Sequence, residues 1–294
     1  MTKGDRPEHA APPEIFYNEE EARKYTTNSR MMAIQAQLTE RALELLALPD
    51  DGRMKILLDL GCGSGLSGEA LTEQGHCWVG MDISESMLDV ARDREVEGDL
   101  CLHDLGDGLP LRTGTFDGAI SISAVQWLCN ADRRGADPRR RMRRFFETLY
   151  SCLTRGGRAV LQIYPADSSQ AEMLTSAAMR AGFSGGLVVD FPHSTRAKKY
   201  FLVLMVGGST AMPAPRGLSG EASDEEDGTV AVAGRQQSGK RRKLGAAGAG
   251  GSSRHPEGKG KAWILKKKDQ ARHKGYVNIP GDTKYTGRKR KTRF

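Results

Sequence analysis

Three glycines at alternate positions, Gly61, Gly63 and Gly65, sit in the stretch "ILLDLGCGSG", between an apolar run and an amphipathic one. Glycine tolerates positive φ and lets a ligand approach the main chain, so this spacing at a strand-to-helix turn suits a nucleotide-binding loop. What is missing narrows the ligand. A dinucleotide fingerprint needs its third glycine at position 66, which is Leu66, and a P-loop needs Lys followed by Ser or Thr. Neither pattern is present, so the loop has no pyrophosphate to cradle.

Three carboxylates surround the loop at successive strand ends: Asp59 just before it, Asp82 in "VGMDIS" and Asp104 in "CLHDLGDGLPL". A carboxylate at a strand end accepts both hydroxyls of a ribose, the role that falls to Asp82. Asp104 with the Leu105 amide matches the amino group and a ring nitrogen of adenine, and Ile83 offers an apolar face for the base. Asp59 would face the cationic amino-acid end of the ligand, directly or through loop amides and water. Gly61, Cys62, Gly63 and Gly65 would line the ligand with backbone. Each Asp alone is an ordinary cap or turn residue. The three in series point to S-adenosylmethionine.

The elements that must carry these residues alternate. Apolar runs predict strands at 55–60, 77–82, 99–103, 116–123 and 158–163, helices at 64–73, 86–93, 139–153 and 169–181, and closing strands at 187–191 and 199–206. Such alternation predicts an α/β, doubly wound sheet of seven strands, mostly parallel, with the last pair as an antiparallel edge hairpin. Ahead of it, Met31, Ile34, Leu38, Ala42, Leu45 and Leu46 recur at helical spacing up to Pro49, which predicts two short helices laid against the domain.

From Gly207 the composition shifts through the acidic "EASDEEDG", the basic "GKRRK" and the glycine-rich "GAAGAGGSS". Nothing there can bury a core, so a flexible linker is expected. The organisation is then an N-terminal helical segment 1–50, a ligand-binding domain 51–206, a linker 207–258 and a basic C-terminal extension 259–294. Of the net +7, residues 255–294 carry +10, with 13 Lys and Arg against 3 Asp and Glu, so the rest of the chain sums to −3. A terminal block of this kind suits contact with a polyanion, a nuclear address or a solvated tail. A short basic helix is expected at 263–274, and Trp263, Tyr276 and Tyr285 are interleaved with charge, as in a segment that orders on a nucleic-acid or protein surface.

The five cysteines form no C-x-x-C and do not pair evenly, so neither a zinc site nor a disulfide framework is expected and a reducing compartment fits. The start lacks the apolar core of a signal peptide, and no apolar run approaches a membrane span. A soluble intracellular protein is expected.

Taken together, "LDLGCGSG", "GMDIS", "CLHDLGDGLPL" and "GTFDGAISISAVQWL" resemble the successive motifs of class I S-adenosylmethionine-dependent methyltransferases. More narrowly, "PPEIFYNEEEARKYTTNSRMMAIQAQLTERALELL", "SAVQWLCNAD" and the ending "DTKYTGRKRKTRF" resemble the eukaryotic 18S ribosomal RNA guanine-N7 methyltransferase family. The resemblance implies a Rossmann-like fold and methylation at N7 of one guanine of 18S rRNA. It also implies a part in small-subunit maturation and export, and residence in the nucleus, its nucleolus and nucleoplasm, with the cytoplasm as a further place. It further implies a small zinc-binding activator subunit as partner, any zinc belonging to that subunit. In this fold the third strand, from Asp99 to His103, lies at the sheet edge with Leu100 and Leu102 in need of cover, and the activator would dock there by strand addition.

Guanine N7 carries an available lone pair, so its attack on a sulfonium methyl needs orientation rather than a general base. The stretch after the fourth strand has neither the Asn-Pro-Pro-Tyr of amino-group methylation nor the Pro-Cys of pyrimidine C5 methylation. Ser123, Gln126 and Trp127 are placed near the transferred methyl, with Gln126 bonding a guanine edge and Trp127 either walling the pocket or serving as a core aromatic. On the family match, Tyr17, Tyr25 and Arg30 close over the cofactor, Arg30 pairing with its carboxylate; the residues alone leave ordinary packing or surface charge open for all three. The runs "RRGADPRRRMRR" and "KRRK" either guide rRNA, address the nucleus or are simply solvated. Two other readings stay open: an assembly factor whose required task is binding pre-rRNA, and a small-molecule or protein methyltransferase that shares the domain.

Overall fold

Residues 6–131, 135–194, 197–207 and 217–218 are described by a computed structural model, and all belong to the first of two units of the chain, Met1–Gly234. Apart from residues 207, 217 and 218, the expected linker, the basic helix at 263–274 and the C-terminal extension lie outside the described residues.

Short apolar runs bounded by polar turns give seven strands: β1 (Ile56–Leu60), β2 (Cys77–Asp82), β3 (Asp99–Leu102), β4 (Phe116–Ile122), β5 (Leu153–Ile163), β6 (Ser184–Asp190) and β7 (Lys199–Met205). They form one sheet in the order β3-β2-β1-β4-β5-β7-β6. Strands β1 to β5 run parallel, and β7 is antiparallel to both β5 and β6. The predicted α/β sheet with an antiparallel edge hairpin is therefore present, and β3 is an edge. The strand order reverses between β1 and β4, which opens a crevice beyond their C-terminal ends.

Eight helices surround the sheet among the described residues: α1 (Pro7–Ala10), α2 (Pro13–Phe16), α3 (Glu19–Thr27), α4 (Ser29–Leu46), α5 (Leu66–Glu73), α6 (Glu85–Asp93), α7 (Pro138–Cys152) and α8 (Ser168–Arg180). Alternation along each strand sends successive side chains to opposite faces. Leu57, Ile120 and Val160 share a core with Leu38, Ala42 and Leu46 of α4 and Leu71 of α5. Leu58, Leu60 and Leu161 share the other with Phe145, Phe146 and Leu149 of α7 and Leu174 of α8. Burying a side chain such as Phe145 or Phe146 contributes about 1.5–3 kcal/mol.

The N-terminal segment departs from the two short helices predicted. Pro7 and Pro13 each open a single turn, and Asn28 splits the longer pattern into α3 and α4, accepting from the amides of Arg30 and Met31 at 3.1 and 3.2 Å. Helix α4 stops ahead of Pro49 because Ala47 turns left-handed at φ 47°. It is tied across the sheet by Arg41, which donates to both oxygens of buried Asp190 at the end of β6 at 2.9 and 3.2 Å. Buried Arg158 of β5 donates to the Leu45 carbonyl at 2.8 Å and so serves the C-terminal end of the same helix.

Two strand starts also differ from expectation. Strand β5 begins at Leu153 because "TRGG" forms an irregularity inside the strand, where the register passes from Phe116–Leu153 to Gly118–Arg158. Strand β6 begins at Ser184 because Gly185 is paired rather than part of a turn. Its φ is 124°, and a Cβ there would lie 2.1 Å from the Val203 carbonyl oxygen, which only glycine permits.

Candidate active site

Strand β1 delivers the glycine loop into the crevice. Gly61, Gly63 and Gly65 all take positive φ, at 76, 53 and 80°. Each also touches a different element: an added Cβ would meet Ala124 Cβ at 2.2 Å from Gly61, Met87 Cε at 2.8 Å from Gly63 and Val96 Cγ1 at 2.7 Å from Gly65. The loop's own packing thus demands glycine, beside any ligand's approach. The Gly61 and Cys62 amides donate to the Met81 carbonyl at 2.7 and 3.1 Å and tie the loop to β2.

Asp82, half-buried at the end of β2, lines the cleft. Its Oδ2 accepts from the Gly63 amide at 2.9 Å and its Oδ1 from the Ser84 amide at 2.8 Å. Two backbone donors therefore fix the carboxylate while its remaining lone pairs are left for a pair of hydroxyls. Burial pushes its pKa upward, against the amides of Ser84, Gly63 and Ile83.

Asp59 lies deeper. It is fully buried, it is absent from the cleft lining, Oδ2 accepts from Ser67 Oγ at 2.6 Å, and Oδ1 has no partner among the described residues. Burial raises its pKa to about 7, with nearby Asp82 adding to the shift and the Ser67 hydroxyl opposing it. Its route to a ligand therefore runs through the loop or water. Ser64, which does line the cleft, carries another buried oxygen without a partner among the described residues.

The cleft encloses about 950 Å³, its open mouth included, and Ile83, Met87 and Leu105 give it an apolar wall. Asp104 lines it too, but its carboxylate is already engaged. Oδ1 accepts from the Gly106 amide at 2.8 Å and from Arg141 Nη2 at 2.7 Å, and Oδ2 from the same Nη2 at 2.9 Å. Any amino group that Asp104 serves must share the carboxylate with Arg141 or displace it.

On the opposite wall, Ser123 sits just past β4 at φ 57°, an uncommon conformation for a residue other than glycine. Its amide and Oγ donate to the carbonyl and Oε1 of Gln162 at 3.1 and 2.5 Å, and its own carbonyl accepts from Gln126 Nε2 at 2.7 Å. The chain then forms a 3-10 turn, Val125–Cys129, which sets Trp127 on the cleft and leaves Gln126 buried off the lining. Trp127 packs against Phe16 and Tyr17 at ring-centre distances of 6.2 and 6.0 Å, so it is a core aromatic and a wall of the cleft at once.

Tyr17 and Tyr25 meet edge to face at 6.0 Å and both line the cleft. Burial raises both phenols, Tyr25 to about 12, so neither ionises near neutrality. Arg30 is not brought to the site: it is exposed in the first turn of α4 and absent from the lining, whereas Gln35 of the same helix is present. Five residues at 3.6 per turn place the two about 140° apart around the helix. Arg141 and Gln35 escape the motif reading because they come from helices remote from the loop. A signal for Gln35 exists, since it shares helical spacing with buried Leu38, Thr39 and Ala42.

A carboxylate for paired hydroxyls, an apolar slot beside it and unpartnered acceptors under the glycine loop fit an adenosine joined to a cationic amino acid, as in S-adenosylmethionine. Residues 58–161 match the family described as "Methyltransferase domain", and residues 204–292 the one described as "Methyltransferase involved in Williams-Beuren syndrome". The chain is 54% identical to the 18S rRNA (guanine-N(7))-methyltransferase of Arabidopsis thaliana over 298 residues, 99% of each chain. It is 52% identical to that of Mus musculus over 293 residues, covering 100% of this chain and 99% of the other. The chain belongs to the 18S rRNA (guanine-N7)-methyltransferase family. The 18S rRNA (guanine(1575)-N(7))-methyltransferase of Saccharomyces cerevisiae is 49% identical over 290 residues, 98% of this chain and 99% of that one. Among solved structures, phosphoethanolamine N-methyltransferase 2 of Haemonchus contortus shares the fold alone, with a TM-score of 0.51 and 14% identity over 65% of this chain and 58% of the other. Likeness to the 18S rRNA methyltransferase family thus runs through both ends of the chain, beyond the fold that the nucleotide-binding core shares more widely.

Proposed function

We propose that this protein transfers the methyl group of S-adenosylmethionine to N7 of a guanine in 18S rRNA of the small-subunit precursor, contributing to maturation and export of that subunit. The observation that carries the reading is identity near 50% over almost the whole length of relatives named for that reaction. The cleft supports the cofactor, with Asp82 as the ribose acceptor and Ile83, Met87 and Leu105 around the adenine.

The bound cofactor supplies an electrophilic methyl on a sulfonium centre. The chain's part is orientation and exclusion of water. Guanine N7 is unprotonated near neutrality and its lone pair lies in the base plane, so no residue need remove a proton. That suits a wall made of Ser123, Trp127 and Tyr17, with phenols that stay neutral and no carboxylate among the three residues. Loop and wall are locked together at Gly61 and Ala124, which holds methyl donor and base at one spacing.

Sequence length beyond the described residues, rich in Lys and Arg, supports contact with rRNA and a nuclear and nucleolar location. The partner is a small zinc-binding activator, docked on β3: this strand is the sheet edge, and its Leu102 is 56% exposed. The test is incubation of the full-length chain, co-expressed with such an activator, with labelled cofactor and small-subunit rRNA, followed by borohydride and aniline cleavage at N7-methylguanine. One cleaved position in 18S rRNA is expected, lost in Asp82→Ala. No label in rRNA from the complex would overturn the reading.

A further inference from the structure

The N-terminal turn reaches the wall where the base must sit. Arg6 donates from Nη1 and Nη2 to the carbonyls of Tyr164 and Pro165 at 2.9 and 3.1 Å, just past β5. Glu8 Oε1 then accepts from Gln126 Nε2 at 3.1 Å, and the Glu8 carbonyl from Asn130 Nδ2 at 3.2 Å. These bonds hold α1 across the ends of β4 and β5, over the turn that presents Trp127.

Gln126 Nε2 faces two acceptors, Glu8 Oε1 and the Ser123 carbonyl, which fixes the orientation of its amide. Its Oε1 is buried and has no partner among the described residues. Glu8 Oε2 has none among the described residues either. Two acceptors without donors, one of them anionic, therefore stand beside a tryptophan that lines the cleft. Gln126 Oε1 is the buried one, whereas Glu8 Oε2, on a half-buried residue, is open to a donor from outside the chain.

Guanine alone among the standard bases offers two adjacent donors, N1–H and the N2 amine. That edge lies on the opposite side of the base from N7. A guanine whose N7 points at the methyl donor over the glycine loop turns its donors toward the facing wall. Adenine and cytosine set a ring acceptor beside their amine, and uracil has one donor between two carbonyls, so each would put a lone pair against the Glu8 carboxylate.

We propose that Glu8 reads the target guanine, its carboxylate accepting from N1–H and N2–H while Trp127 lies against the base. Gln126 acts as a positioning residue, since it links Glu8 to the left-handed Ser123. The inference rests on the guanine-N7 reading of the function.

Inosine separates the two claims, because it keeps N7 and N1–H but lacks the N2 amine. The full-length chain with its activator is given ligated small-subunit RNA carrying guanosine or inosine at the mapped position. The wild-type chain should prefer guanosine by about ten- to a hundred-fold in kcat/KM, the worth of hydrogen bonds to a charged group. Glu8→Gln should bring that ratio close to one, with calorimetric affinity for S-adenosylmethionine and thermal stability unchanged. A purely structural clasp would lower both rates together and leave the ratio alone, which would overturn the proposal. Full preference retained in Glu8→Gln would also overturn it, while the reading of the function would stand. Wild-type chain that methylates neither RNA would remove both.

Discussion

Asp59 carries a cost that its motif position does not reveal. In the unfolded chain it titrates near pH 4, and in the folded protein near 7, chiefly through burial. Across that interval the folded chain binds the proton more firmly, so stability falls as pH rises from 4 to 7 and stays low above. Asp59→Asn preserves shape and an acceptor for Ser67 while removing the titration. Its expected effect is a gain on the order of a few kcal/mol at pH 8 that vanishes below pH 4, read by urea unfolding at pH 4, 6 and 8. A variant that keeps the wild-type slope would assign it to another group. Asp82 was legible because a carboxylate closing a strand needs only local spacing to be recognised. Asp104 was legible as a position and not as an environment, since Arg141 arrives from α7, and the adjoining arginines of that helix give no cue to which one turns inward.

At the scale of elements, the decisive contact is between the loop after β1 and the turn after β4. Gly61→Ala places Cβ against Ala124 Cβ at 2.2 Å and forces alanine to φ 76°. The combined penalty is about 3 kcal/mol. Adding Ala124→Gly removes the collision and leaves the backbone strain, so the double variant should recover stability to within about 1–2 kcal/mol of wild type. Thermal unfolding checks both, and cofactor binding should return in part with the second change. No recovery would mean that the left-handed backbone alone dictates glycine. The loop itself was readable because positive φ is a local demand that glycine spacing reports. The helical boundaries around α3 and α4 were not, because Asn28 serves two helices and only its geometry shows the break. Gln35 replaced Arg30 at the cleft for a related reason: motif likeness places a helix near a ligand, but its rotation is set by which stripe the sheet buries.

For the molecule as a whole, the strand order leaves β3 without a neighbour on one side among the described residues, and exposed Leu102 marks the face a partner would cover. Leu102→Glu should change the chain's own stability by no more than about 0.5 kcal/mol, as surface substitutions do, yet abolish co-purification of the activator. Retained binding would place the partner elsewhere. The amino-acid sequence alone determined the alternation of strands and helices, the glycine turn and the carboxylates at strand ends, because each depends on periodicity or on the φ and hydrogen-bonding habits of neighbouring residues. It also carried, through its likeness at both ends, the family and the proposed rRNA substrate. Only the tertiary structure decided that Asp59 lies under the loop rather than in the cleft, that Arg141 holds Asp104, and that Glu8 reaches Gln126. The last two pairs are separated by tens of residues or more along the chain, and their meeting follows from how helices rotate and settle on the sheet to bury apolar surface, which no local pattern encodes.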